Sequence, residues 1–190
     1  MEEVGGNGEK RPITTYPFVK GIFGIPLEGL TAPFHKNVKT GSGREVQCAI
    51  EEEGDKAWIE ITDPKDDYIM HAVVRGDTMR MDINTRKKNG ERHPDFFARR
   101  FLIFAYEYFL ANGHKIDRIS TFWPLSGSKF HSVNYEQYLE ILKKGVSPEN
   151  AVKATWAGRL AGELGFTEVE NIVKYESEGL EADFKKPDQT

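Results

Sequence analysis

The sequence predicts an α/β domain of the α+β kind: a mixed sheet in which an antiparallel meander is followed by a β-α-β crossover and further helices. Between 45 and 85, short runs of alternating apolar and polar residues follow one another across tight polar connectors. One long amphipathic run, 94–112, comes directly after them. A further strand-like run, 116–123, follows at once, so that strand, helix and strand make a right-handed crossover with its two strands parallel.

Length, charge and cysteine use narrow the classes. A chain of 190 residues can hide one core, roughly 70% of the surface its unfolded form would expose. No window approaches the ~20 consecutive apolar residues that cross a bilayer, so no membrane partner is expected. The opening residues, MEEVGGNGEKRP, are acidic where an export signal is basic, and they lack an apolar centre. Cys48 stands alone, which excludes an internal disulfide framework and a zinc knuckle and fits a reducing, cytoplasmic compartment. A net charge of −4 argues against a dedicated nucleic-acid binder, whose surface is usually basic.

Residues 1–12 are glycine and charge with almost no apolar content, and read as a disordered tail. Residues 13–43 form an irregular apolar arm. Phe18, Ile22, Phe23, Ile25, Leu27, Leu30 and Phe34 are interrupted there by Pro17, Gly21, Gly24, Pro26, Gly29 and Pro33, which forbid a long helix. Such an arm either lies over the core or, from Tyr16 to Phe34, wraps a second copy or a protein partner.

The single domain is expected at 44–174. Its strands are 45–51, with Val46, Cys48 and Ile50 on one face; 57–62, with Trp58, Ile59 and Ile61; 68–74; and 78–85, with Met79, Met81 and Ile83 on one side. In the long helix Phe97, Phe101, Phe104, Ala105 and Tyr108 recur at three- and four-residue spacings, flanked by Leu102 and Phe109. Pro94 suits its first position, and Asn112-Gly113 its exit. Ser132 or Asn134 caps a second helix through Lys144. Ser147-Pro148-Glu149 starts a third, which ends at Gly165. Residues 166–173 read as the last strand, and 175–190 as a charged, frayed tail.

This layout has a chemical consequence. The loops after 78–85 and after 116–123 leave the same edge of a parallel pair, where open α/β sheets place ligands. The first loop carries Arg86, Lys87, Lys88, Arg92 and His93 and feeds the amino end of the long helix, a natural site for phosphate. The second offers Ser126, Ser128 and His131 but lacks the spacing of a Walker loop. If the two strands separate, a cleft lined by backbone N–H groups opens between these loops. The histidines lack metal-ligand spacing, and no metal is expected. Glu60 and Asp82 alternate with apolar positions, and either serves as a general base only where its face is covered.

Gly158-Arg159-Leu160-Ala161-Gly162-Glu163-Leu164-Gly165-Phe166, placed late after a meander and a long helix, resembles the GNAT-type N-acetyltransferases, whose late helix ends in Leu-Gly-Phe. The likeness covers roughly 44–173. Against the family's loop pattern of Gln or Arg, two residues, Gly, one residue, then Gly or Ala, Gly90 matches, with Lys87 at the first place and Arg92 at the last. The family's late-helix Tyr has no counterpart at 160–165. The resemblance implies a GNAT-like domain that binds acetyl-CoA or a related acyl-CoA and passes the acyl group to a small-molecule or protein amine acceptor. It places the cofactor phosphates at Arg86, Lys87, Lys88, Arg92 and His93 with Ser126 and Ser128, and leaves Glu60 and His131 as bases. The alternative is a non-catalytic interaction module, or an effector-like protein, on the same scaffold.

Overall fold

The computed structural model describes residues 21–65, 68–86, 91–125 and 132–188. The meander begins earlier than the sequence pattern indicates. β1 (Gly21–Ile22) and β2 (Ile25–Pro26) form a small ribbon, and β3 (Phe34–Lys39) pairs with β4 (Glu45–Glu53) as the edge of the main sheet. β5 (Lys56–Asp63), β6 (Tyr68–Arg75) and β7 (Thr78–Asn84) continue it antiparallel. After α1 (Ala98–Ala111), β8 (Arg118–Pro124) lies parallel to β7, as the crossover requires.

β9 (Glu168–Tyr175) and β10 (Gly179–Lys185) complete an eight-stranded sheet of order β3-β4-β5-β6-β7-β8-β10-β9. The segment expected as a frayed tail is therefore an interior strand. Leu180, Ala182 and Phe184 are buried at period two, and the acidic residues between them take the other face. The described part of the arm takes the first of its two expected courses and lies over the core. Ile22, Ile25 and Leu30 are buried in the domain's own core, and Phe23 packs on Phe96 with ring centres 6.0 Å apart. Its apolar residues from Ile22 to Leu30 thus find cover within the chain.

One sheet face carries the buried side chains, among them Val46, Ile59, Met70, Met79 and Ile119. α1 lies against β6 and β7 there. It is buried nearly all round, and Tyr106 packs edge-on against Phe166 with ring centres 5.9 Å apart. α2 (Val133–Lys143) continues the layer with Tyr138 near Trp123, and α3 (Pro148–Ala154) lies against β9. Cys48 is buried in this core, and burial pushes its thiol up to about 12, which suits a small hydrophobe and not a nucleophile.

Two boundaries differ for local reasons. The long helix starts at Ala98, not Pro94, because His93 ties down the N–H groups of Asp95 and Phe96 in a turn of their own. The third predicted helix is two. Thr155 accepts from the N–H of Gly158 at 3.1 Å as the cap of α4 (Trp156–Glu163) and donates to the carbonyl of Val152 at 2.7 Å. Gly158 permits the close join, since a Cβ there would stand 2.2 Å from the Val152 carbonyl oxygen.

Candidate functional site

β7 and β8 are partners over only half their lengths. Thr78–Met81 pairs with Arg118–Thr121, and there the parallel ladder stops. Beyond it, Ile83 and Asn84 stay with β6, opposite Met70 and Ile69, whereas Phe122, Trp123 and Pro124 stay with β10. The half-sheets diverge, and the facing backbone edges of 82–84 and 122–124 have no strand partner between them. A cleft of about 390 Å³ opens at this point, lined by Ile83, Asn84, Phe122, Trp123 and Trp156.

The amino end of α1 forms another wall, through Phe96, Phe97, Ala98 and Arg99. Phe97 supplies no side-chain cap, and the first turn holds no acidic residue, so the helix presents the positive end of its dipole to the cleft. Arg86 and Arg92, joined by an isolated antiparallel bridge, line the same wall. Arg99 also lines it but gives Glu163 a 2.7 Å ion pair. Ser132, the cap of α2, also lines the cleft and accepts from the N–H of Tyr135, and its hydroxyl has in addition a proton to donate. The indole N–H of Trp123 is buried without an acceptor among the described residues.

His93 does not belong to this wall. Its side chain is fully buried, with Nε2 3.0 Å from Asp63 and Nδ1 accepting from the N–H groups of Asp95 and Phe96. An acceptor at Nδ1 fixes the neutral tautomer with its proton on Nε2, directed at the carboxylate. Asp63 also takes Arg44 Nη2 at 2.6 Å and the N–H of Lys65. Burial works to raise Asp63, but the hydrogen bonds from Lys65, Arg44 and His93 hold it below the usual carboxylate range. For His93 burial prevails over Asp63 and lowers its affinity for a proton. The residue predicted to hold phosphate therefore sets the turn that aims α1.

That geometry has a pH signature. The unfolded chain protonates His93 below about pH 6.5, and the folded chain only at lower pH. Its contribution to stability is complete above that value and falls away as the pH drops through the window beneath it. In urea melts, wild type is expected to exceed His93→Gln at pH 7.5, with the gap narrowing towards pH 5. A gap of constant size would contradict the assignment.

Of the other predicted residues, Arg86 and Arg92 reach the cleft, whereas Lys87, Lys88, Ser126, Ser128 and His131 lie outside the described residues. Glu60 is not brought to the cleft. It stands on β5, opposite His71 of β6, which in turn is opposite Asp82 of β7. Two strand spacings of ~4.8 Å separate it from β7. The group nearest the splay is Asp82, whose Oδ2 lies 3.8 Å from His71 Nδ1 and which that contact holds below the usual carboxylate range. His71 carried no sequence signal, because only the register of three strands places it there. Among the described residues no group of His, Cys, Asp and Glu is arranged to hold a metal, and no helix is long and apolar enough to cross a membrane.

Comparison with protein-family models, with curated proteins and with solved structures gives no match to this chain.

Proposed function

We propose that the chain is a GNAT-like acyltransferase domain that binds an acyl-coenzyme A in the β7/β8 cleft and transfers the acyl group to an amine. The observation that carries this reading is the splay itself. Parallel strands that part after Met81 and Thr121 leave a slot between their edges, bounded by a helix end with no side-chain cap and by Arg86 and Arg92. The residues present suit the cofactor. The α1 end and the two arginines match its pyrophosphate, and the parted edges of β7 and β8 match the amide-bearing arm. The cofactor, when bound, supplies an activated thioester, so this chain has to position the reactants and move protons.

The open face beside Asn84 supplies the row Glu60, His71 and Asp82 for the proton of the amine. α4 has no Tyr to protonate the departing thiolate. The Ser132 hydroxyl on the cleft wall is the described donor that can replace it. The interaction-module alternative draws less support from the arm, because Ile22, Ile25 and Leu30 are buried within the chain and Phe23 and Leu27 are half-buried.

Thermal melting with acetyl-CoA tests the reading. With ligand ~100-fold above its dissociation constant, linkage predicts a rise of roughly 5–10 °C for a domain of this size. Arg92→Ala, an exposed change, is expected to weaken binding about tenfold or more through loss of a charge-assisted phosphate contact. No shift at millimolar acetyl-CoA would remove the proposal.

A further inference from the structure

The cleft is not the only concavity at the amino end of α1. A second cavity of about 430 Å³ is walled by Phe23, Lys39, Thr40, Asp95 and Arg100, and Phe97 lines it as well as the cleft. Phe97 therefore stands as the divide between the two. Its position in the apolar stripe of the sequence predicts burial, yet the side chain is 60% exposed. A large apolar ring held in water gains nothing by the hydrophobic effect, and this one sits where the helix dipole and several cations converge.

The second cavity differs from the first in its charges. Lys39 is exposed on its rim, and Arg100 spends one N–H on the carbonyl of Gly21 at 3.3 Å, from a guanidinium that has five. Asp95 is the acid facing them. Its carboxylate is already engaged by the backbone N–H and hydroxyl of Ser42, which offset the effect of burial and hold it below the usual carboxylate range. What remains is a basic pocket reached across a flat aromatic surface, directly next to a phosphate-binding helix end. That sequence of chemistries, anion site, aromatic face, second cation pair, fits a phosphorylated nucleoside joined to a pyrophosphate.

We propose that Phe97 is the stacking surface for the purine of the cofactor and that Lys39 and Arg100 receive the phosphate on its ribose. This rests on the reading of the cleft as an acyl-coenzyme A site and extends it to the nucleotide end. The exposure of Phe97 is then a binding feature, and the cavity beyond it distinguishes the complete cofactor from its shorter forms.

Calorimetric titration with three ligands tests this: acetyl-CoA, the same thioester lacking the ribose phosphate, and acetylated phosphopantetheine, which lacks the nucleotide. Wild type is expected to bind them in that order of affinity. Phe97→Ala should weaken the two nucleotide-bearing ligands about tenfold and leave the third unchanged, and Phe97→Trp should restore them. Lys39→Ala should bring the first two ligands close to equal. Both side chains are exposed, so circular dichroism should show an intact fold. If Phe97→Ala and Lys39→Ala bind acetyl-CoA as tightly as wild type while Arg92→Ala does not, the nucleotide site is wrong and the cleft reading stands. If wild type binds none of the three, both are wrong.

Discussion

Removing residues 179–190 is expected to abolish cooperative folding. β10 is hydrogen-bonded to β8 on one side and to β9 on the other, so its loss cuts the edge strand β9 off from the rest of the sheet. Leu180 and Phe184 are each 1% exposed, and burying side chains of this kind is worth about 1.5–3 kcal/mol apiece. β9 would then have no partner strand, and β8 would keep only its half-length pairing with β7. Set against a total stability of about 5–15 kcal/mol, these losses together consume most or all of it. The truncated chain should give no sigmoidal melt and should bind a dye for exposed apolar surface. A truncated protein that melts within a few degrees of the full chain would show that this strand is not integral to the sheet.

Asp63→Ala is the second large effect. The carboxylate is 1% exposed and holds Arg44 and His93 together, so its removal leaves a buried imidazole N–H without its acceptor and takes one ion-pair partner from Arg44. Breaking a buried pair by deleting one partner costs about 3–5 kcal/mol. Arg44 is 34% exposed and can recover some hydration, which favours the lower end of that range. About 3 kcal/mol corresponds to a fall in melting temperature of roughly 6–12 °C for a domain of this length. Asp63→Asn keeps an acceptor for the Lys65 N–H and should cost less. Because His93 positions Asp95 and Phe96 just before α1, Asp63→Ala should also weaken any ligand at the helix end. Equal melting temperatures for Asp63→Ala and wild type would dismiss the network as a support.

Both effects separate what the sequence made legible from what it did not. The meander, the crossover and the parallel pairing of β7 with β8 followed from alternation and order, because a period of two and a strand-helix-strand sequence have few other solutions. β10 was hidden because EGLEADFK carries three acidic residues, and composition outweighed the alternation of Leu180, Ala182 and Phe184. β3 was hidden similarly, since an edge strand needs polar side chains and His35, Lys36, Asn37 and Lys39 read as loop. The break in the third helix rests on Thr155 and Gly158, whose roles depend on how closely α3 and α4 approach.

The cationic wall of the cleft was legible in the sequence. Arg86, Arg92 and the start of α1 are neighbours in sequence, and a charged loop before a helix announces itself. The other parts come from distant segments. Trp123 and Ser132 meet the helix end only through the fold, and the row Glu60, His71, Asp82 exists only in the register of β5, β6 and β7. His93 was assigned to phosphate because of the loop it sits in. Its true partner is Asp63, thirty residues earlier, on a strand that gave no sign of ending in a buried acid.

Backbone amide exchange with and without acetyl-CoA tests the central claim most directly, since it reports where a ligand sits without assuming turnover. If the cofactor lies in the splay, exchange should slow at 97–100, where the N–H groups of the α1 end meet phosphate, and at 83–84 and 122–123, whose facing edges have no strand partner between them. Unchanged exchange at those amides under saturating ligand, or protection confined to another surface of the sheet, would contradict the account.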